Sequence, residues 1–464
     1  MQKNYSLHLK IFFEIYRNKY NQETFVNSNN YFMKHLNNMR NLGLVMVILT
    51  CFQVSAIAAG FQVYLPSSRA TAMGNLGVGL RPDASSIYVN PGAMALMENN
   101  EIMLGFNFIY ANVQYYNSQV ENSNYVADSD NPTGTPFHAY AVWGPKEAKW
   151  KVGLGMYTPY GSRVNWGEDW QGRFLLSGIR LQAIYTQATF SYAFSDKFSI
   201  GAGLIGMFGN VDLKRVIDVS SDLPPTTINL VGDADFAFGF NVGLYWAISE
   251  KWQLGASYRS QVDATLSEGD VTFENVPNSL ASLLSDNKFS STIPLPSSAN
   301  LALNWTPDEN WEVGVEVNYI GWSSFQSLDF DFENENPVIQ DSESPRNYQD
   351  SWVFHLGGEY DFGKVQLRAG GYYDLTPVQD GYMTPETPDS DRIAFTGGIG
   401  YSLGDFLQFD LAFLFIAGQE REQMTSVAQS VGTYPSATND TYAVEPGTYK
   451  MRAYIPGITI IYKF

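Results

Sequence analysis

The sequence predicts an all-β fold: a fourteen-stranded antiparallel transmembrane β-barrel over residues 101–464, with a compact plug of residues 59–100 in its lumen. Three observations lead there. From residue 101 onward the chain breaks into fourteen stretches in which apolar and polar residues alternate with period two, and successive side chains of a strand face opposite sides. The connections are alternately very short and long, and the even count returns both ends to one side, the rhythm of membrane barrels with tight turns at one end and loops at the other. The stretches run to about 10 residues or more with aromatic ends, which suits a bilayer better than the ~5–6 residues of a typical soluble strand. A β-sandwich produces the same alternation. Only a closed barrel, however, pairs every backbone N–H and C=O across its whole wall, as lipid requires.

The elements follow in chain order. Residues 1–38 lie upstream of a segment that needs nothing before it, so no fold is assigned to them and translation is expected to begin at Met39. Residues 39–58 have the form of a signal peptide: a positive start at Met39-Arg40-Asn41, an apolar core from Leu42, and an Ala56-Ile57-Ala58 cleavage site. The mature chain is then expected to begin Ala59-Gly60-Phe61-Gln62. Cys51, the sole cysteine, falls inside the signal, which leaves the mature chain without disulfides or thiolate metal sites. Residues 59–100 are rich in small and apolar types without a long strand. Gly74, Gly77 and Gly79 there have the wrong order of spacings for a nucleotide loop and give backbone freedom in a compact segment.

Within the barrel, Phe236, Phe238, Phe240, Val242, Leu244 and Trp246 share a face, opposite Asp235, Ala237, Gly239, Asn241 and Gly243. Trp311, Val313, Val315, Val317 and Tyr319 oppose Glu312, Gly314, Glu316 and Asn318, and Leu407, Phe409, Leu411, Phe413 and Phe415 oppose Gln408, Asp410 and Ala412. Short connections fall near residues 144–149, 195–197, 249–251, 306–310, 362–364 and 403–405. Long ones are expected near 118–134, 161–178, 219–232, 273–290, 333–347, 376–390 and 419–446. The fourth long loop holds Pro277 with Val276, Leu280, Leu283 and Leu284 at helical spacing, which predicts a short amphipathic helix.

Composition excludes several functions. Without residues 1–58 the chain carries 22 basic against 45 acidic residues, a formal charge of −23, with many of the acids in the long loops. Nucleic acid is excluded as a partner, and the acids form solvated faces. His138 and His355, the two histidines left after maturation, fall in different strands with no serine or carboxylate pattern around them, so no enzyme is expected. Asp128-Ser129-Asp130-Asn131 lacks the later glycine and glutamate of a calcium loop, so neither a metal nor a cofactor is expected.

The mature N-terminus and several later blocks carry a resemblance. Ala59-Gly60-Phe61-Gln62 and the segment down to Asn90-Pro91-Gly92 resemble the N-terminal hatch of the FadL/TodX family of outer-membrane transporters for long-chain fatty acids and other hydrophobic compounds. Trp170-Gln171-Gly172-Arg173-Phe174, Trp322-Ser323-Ser324-Phe325, Asp374-Leu375-Thr376-Pro377-Val378 and Thr384-Pro385 through Asp389-Ser390-Asp391-Arg392 are similar to family blocks and occur in family order. The resemblance covers essentially the whole mature chain. It implies a bacterial outer-membrane, multi-pass barrel with a hatch. Its route runs from capture in an apolar loop groove to a lumen pocket, then sideways past the third strand into the outer leaflet when the N-terminal segment moves. Fatty-acid uptake leads, uptake of monoaromatic hydrocarbons is the alternative, and a structural or adhesive surface barrel is the reading from another class.

Site residues follow. Gly60, Phe61 and Gln62, with Ala59 before them, form the expected gate, Phe61 as stopper, and Asn90, Pro91 and Gly92 end the hatch. The family more often has Ala after Asn-Pro, so Gly92 is expected to loosen that turn. Val276, Leu280, Leu283 and Leu284 are the expected first contacts in the capture loops. Arg259, Asp263, Glu312, Glu316, Arg368 and Asp410 are expected in the lumen, either along the path or as a charge network fastening the hatch. For a carboxylate head group Arg173, Arg180 and Arg215 are candidates, Asn210 and Gln349 occupying the family's basic positions. Tyr462 and Phe464 close an alternating last strand and resemble the assembly signal of outer-membrane barrels. Expected partners are a hydrophobic small molecule, outer-membrane lipid and lipopolysaccharide, and the barrel assembly machinery, with the chain a monomer.

Overall fold

The computed structural model describes residues 60–118, 123–217, 225–423 and 446–464, so the signal segment, everything upstream of it and Ala59 lie outside the described residues. Fourteen antiparallel barrel strands follow the hatch. They are β1 (Glu101–Asn107, continued by Tyr110–Tyr116), β2 (Val126–Asp128 and Phe137–Trp143), β3 (Trp150–Asn165), β4 (Gly178–Ser195), β5 (Phe198–Ile217), β6 (Thr226–Ala247) and β7 (Trp252–Arg259 and Val262–Glu274). Then come β8 (Asn287–Leu295 and Ser298–Trp305), β9 (Trp311–Ile320 and Ser327–Phe332), β10 (Ser342–Pro345 and Ser351–Asp361), β11 (Val365–Asp374), β12 (Arg392–Leu403), β13 (Leu407–Gly418 and Arg421–Gln423) and β14 (Gly447–Lys463). Each pairs with the next, and β1 closes on β14 through Glu101↔Lys463 to Asn107↔Gly457 and Tyr110↔Tyr454 to Tyr116↔Thr448. No free sheet edge is left at that seam.

The outward face is the greasy one. Phe236, Phe238 and Phe240 are exposed on β6, Leu154 on β3, Phe395 on β12, Leu411 and Phe413 on β13, and Ile458, Ile460, Tyr462 and Phe464 along the end of β14. A soluble monomer rarely shows such a contiguous apolar surface. A bilayer covers it. The inward face carries Glu312, Glu316, Glu359, Arg368 and Asp410, each under 7% exposed, against the hatch.

Strands reach further at the loop end than the sequence pattern suggested. Thr226–Leu230 lies inside an expected loop but pairs with Leu213–Ile217 on one side, and Thr227–Val231 pairs with Asp270–Glu274 on the other. Once both neighbours extend, their backbone groups are satisfied by continuing the ladder. Asp263 is a second difference. Ser260 and Gln261 interrupt β7, and the extra residue flips the alternation: Arg259 points inward, but so do Val262, Ala264 and Leu266, which leaves Asp263 exposed.

The hatch is built from α1 (Ser68–Ala72), capped by Ser67 accepting from the Ala70 N–H at 3.2 Å, α2 (Ser86–Val89), and a 3₁₀ turn at Ala93–Leu96. Its residues are buried inside the barrel. In the fourth long loop Asn278–Leu280 makes one 3₁₀ turn instead of the expected helix. One turn is too short to present an amphipathic face. Leu284 is buried in the apolar cluster that also contains Ile339, with Val276 and Leu280 packed against it.

Candidate functional site

Buried charges fasten the hatch to the wall. Arg69 of α1 reaches Glu312 of β9 at 2.5 Å, Glu359 of β10 at 3.3 Å and Asp83 at 3.4 Å. Arg368 of β11 continues the chain to Glu359 at 2.6 Å and Asp410 of β13 at 2.7 Å. Glu312 also accepts from the Arg81 N–H at 2.7 Å and Asn304 Nδ2 at 2.8 Å. Glu316 accepts from the N–H groups of Gly77 and Val78 at 2.9 and 3.0 Å, and Arg259 donates to the Tyr88 carbonyl at the end of α2. A buried charge is tolerable only when paired and hydrogen-bonded. Glu312, Glu316, Glu359 and Arg259 of the wall thus bond directly to the hatch, with Arg368 and Asp410 behind Glu359. Asn90 follows α2 and donates to the carbonyls of Val78 and Leu244 while accepting from the Gly92 N–H at 3.0 Å. Gly92 does not loosen this turn. A Cβ there would stand 2.6 Å from the Gly243 carbonyl oxygen of β6, so the close approach requires glycine.

The wall is broken beside β3. The β2–β3 ladder runs from Trp143↔Val152 to His138↔Tyr157 and stops. Beyond it Pro132 and Pro136 on one side and Pro159 on the other have no N–H to give a ladder, and the β3–β4 register shifts between Tyr157 and Tyr160. The ends rejoin higher up, where the Asp130 N–H donates to the Asn165 carbonyl at 2.8 Å. The freed edge of β3 is taken by the hatch's own N-terminal strap. The Val63 N–H donates to the Pro159 carbonyl at 2.8 Å and the Gly161 N–H to the Phe61 carbonyl at 3.1 Å.

Aromatic rings and an ion pair hold the strap. Phe61, 7% exposed, sits edge-on to Trp322 (ring centroids 4.8 Å apart), Phe325 (5.7 Å) and Tyr160 (6.3 Å). Gly60 has φ +47° and its Cα faces Trp322, where a Cβ would fall inside the indole. The Gly60 N–H donates to Asp389 at 2.7 Å; Arg392 donates to the Gly60 carbonyl at 3.2 Å and pairs with Asp389 at 2.9 Å.

A cavity of about 350 Å³ joins these features. Its lining includes the strap residues Gly60 to Leu65, both edges of the wall break (Pro132, Gly134 and Pro136; Thr158 and Gly161 to Val164), and an apolar wall with Val353, Leu414, Ile416 and Ile455. Gly60, Phe61 and Gln62 therefore line the cavity, as does Arg180, whereas Arg173, Arg215, Asn210, Gln349 and the capture-loop residues Val276, Leu280, Leu283 and Leu284 do not. Sequence reasoning missed Arg69, Trp322, Phe325, Asp389 and Arg392 as partners of the hatch. Pro159 was the available sign of the wall break, because a proline inside a strand pattern marks an edge or a bulge.

Known proteins resemble this chain in sequence and fold. A family model described as outer membrane protein transport protein (OMPP1/FadL/TodX) matches residues 49–464. An outer-membrane protein of Neisseria meningitidis serogroup B is 22% identical over 90% of this chain and 98% of its own length. The long-chain fatty acid transport protein of Escherichia coli O6:H1 is 21% identical over 81% of this chain and 90% of its own. Among solved structures, a Pseudomonas aeruginosa FadL homologue superposes with a TM-score of 0.75 at 19% identity, covering 88% of this chain and all of the homologue. The Pseudomonas putida toluene transporter TodX gives 0.64 at 16% identity over 86% of this chain and 97% of its own. With its hatch, its broken wall and a match over most of its length, the chain belongs to the OMPP1/FadL/TodX family and is a bacterial outer-membrane barrel that passively transports hydrophobic small molecules and catalyses no reaction.

Proposed function

We propose that cargo enters the cavity from the extracellular loops and leaves sideways through the break between β2 and β3 once Phe61–Val63 lets go of β3. The observation that carries this is continuity: a single cavity is lined by the strap and by both edges of the break. A gate made of a chain end costs little to open, since no barrel ladder is disturbed. Each cargo CH₂ moving between apolar surroundings avoids roughly 0.8 kcal/mol of exposure to water, so downhill diffusion needs no energy source. Outer-leaflet lipid receives the cargo.

The cargo class proposed is compact aromatic hydrocarbons and their close relatives. The cavity volume, about 350 Å³, lies at the small end of ligand pockets, and aromatic rings line the strap's seat. A solved relative carries toluene in its description. Long-chain fatty acids form the second reading, favoured by the description of a curated relative. The test is uptake of labelled toluene and labelled oleate by a transporter-deficient host carrying the wild type or Phe61→Ala. Faster toluene entry with wild type, altered by Phe61→Ala at constant barrel abundance, supports the proposal. Oleate entry alone moves the cargo to fatty acids. Entry of neither, with the barrel folded, leaves a structural or adhesive surface barrel.

A further inference from the structure

The lumen side of the cavity carries polar atoms that no described residue satisfies. Asn75 and Asp374 are 3% and 7% exposed, line the cavity, and have Oδ1 atoms without a hydrogen-bond partner. Arg392 stands directly across the β11–β12 ladder from Asp374, lines the same cavity, and keeps Nε free while Nη2 serves both Asp389 and Gly60. Thr158 Oγ1, at the wall break, is a further unpartnered atom. Unmet buried polar groups are rare because each forfeits the hydrogen bond that water gave it. Here Asn75, Asp374 and Arg392 share a chamber with the apolar side chains Val353, Leu414, Ile416 and Ile455.

We propose that Asn75, Asp374 and Arg392 form a hydrogen-bonding station for the hydroxyl of a neutral, otherwise apolar cargo, a phenol or an alcohol. The hydroxyl donates to Asp374 or Asn75 and accepts from Arg392 Nε, and the hydrocarbon body lies along Leu414, Ile416 and Ile455. A pure hydrocarbon leaves the three atoms unmet. A carboxylate has no proton to donate, and it adds a further anion beside Glu386 and Asp389, both on the same cavity. Asp389 already takes the ion pair of Arg392, and Glu386 that of Arg346. Arg163 and Arg180 also line the cavity, opposite each other on the β3–β4 ladder by the break. The station rests on the uptake reading above and specifies the polar end of its cargo.

The test compares butylbenzene, 4-butylphenol and 4-butylbenzoate, matched in size, by equilibrium dialysis against the full chain in lipid nanodiscs with empty nanodiscs subtracted. The phenol is expected to bind about tenfold or more tighter than either of the others, as one to two hydrogen bonds to partly charged groups imply. Asn75→Gly removes the amide and keeps a backbone at φ +59° comfortable; it should reduce the phenol's advantage over butylbenzene several-fold and leave butylbenzene binding unchanged. Asp374→Asn replaces a carboxyl oxygen with an N–H donor, so benzoate should gain about tenfold relative to the phenol. Retained heat-modifiability of each variant shows that the barrel is folded. Equal binding of the three compounds, or tightest binding of the benzoate by the wild type, overturns the station while uptake stands. Failure of all three to bind or to enter cells overturns the uptake reading with it.

Discussion

Arg69→Ala should release the hatch while leaving the barrel closed. Arg69 is 10% exposed and touches three carboxylates, at 2.5, 3.3 and 3.4 Å. Its loss leaves Glu312, 1% exposed, with Arg81 Nε at 3.9 Å as its nearest cation, and that side chain is 42% exposed. Glu359 keeps Arg368 at 2.6 Å. Deleting one partner of a buried pair costs about 3–5 kcal/mol because the other charge is left uncompensated. The surviving arginines argue for the lower figure, about 3 kcal/mol. At 1.4 kcal/mol per decade that makes hatch opening about a hundred times more frequent. Hydrogen exchange reads this directly. The Arg81 amide, bonded to Glu312, and the Gly77 and Val78 amides, bonded to Glu316, should lose about two decades of protection, while amides of the β12–β13 ladder keep theirs. Unchanged protection at Arg81 would refute the fastening role; loss of the barrel amides as well would show that hatch and wall unfold as one unit.

Three further outcomes are expected. Mass spectrometry of the outer-membrane form should find the N-terminal peptide Ala59-Gly60-Phe61, and recovery of residues 1–38 on it would contradict processing at Ala58. Deleting Phe464, whose ring stacks with Tyr462 at 5.8 Å on the exposed end of β14, should lower the yield of heat-modifiable barrel in membranes; normal yield removes its assembly role. Burial pushes the Asp391 carboxyl up to about 7, against bonds from the Thr376 N–H and the Tyr373 hydroxyl that pull the other way. The folded loop thus holds this proton more tightly than the open loop does, so docking of residues 375–391 is firmest below about pH 4, weakens as pH rises toward 7 and is flat above. Proteolysis of that loop should rise over the same range in the wild type, and Asp391→Asn should remove the dependence.

The wall was legible because lipid on one side and a polar hatch on the other impose strict alternation on every strand, and a strand count survives small errors at its ends. What alternation cannot supply is the residue where it slips. Ser260 and Gln261 look like ordinary strand members, yet they turn Asp263 outward and Val262 inward. Gate residues were legible by resemblance; their partners were not. Phe61 meets Tyr160 and the Trp322–Phe325 pair from two distant stretches of the sequence. Arg69 lies 243 and 290 residues from the acids it binds, and no periodicity encodes a pairing that forms only when a plug is set inside a cylinder. The loop at 276–284 misled through its leucines: the chain makes a 3₁₀ turn at Asn278–Leu280 and bonds the Leu283 and Leu284 N–H groups back to the Leu280 carbonyl, but these turns do not join into a regular helix.

The hatch also constrains how this molecule is made. Gly60 is held at the loop end of β12 by Asp389 and Arg392, whereas Glu101 opens β1 at the opposite end beside Lys463. The intervening forty or so residues thread the full height of a cylinder whose seam is the β1–β14 ladder. An N-terminal end can pass along the axis of a ring that is already closed, so the constraint is one of direction: the hatch enters from the β1 end, before or after the seam joins. A hatch peptide supplied in trans to a closed, hatchless barrel therefore has an axial path to its seat, and its docking before and after seam closure shows which order the chain can use.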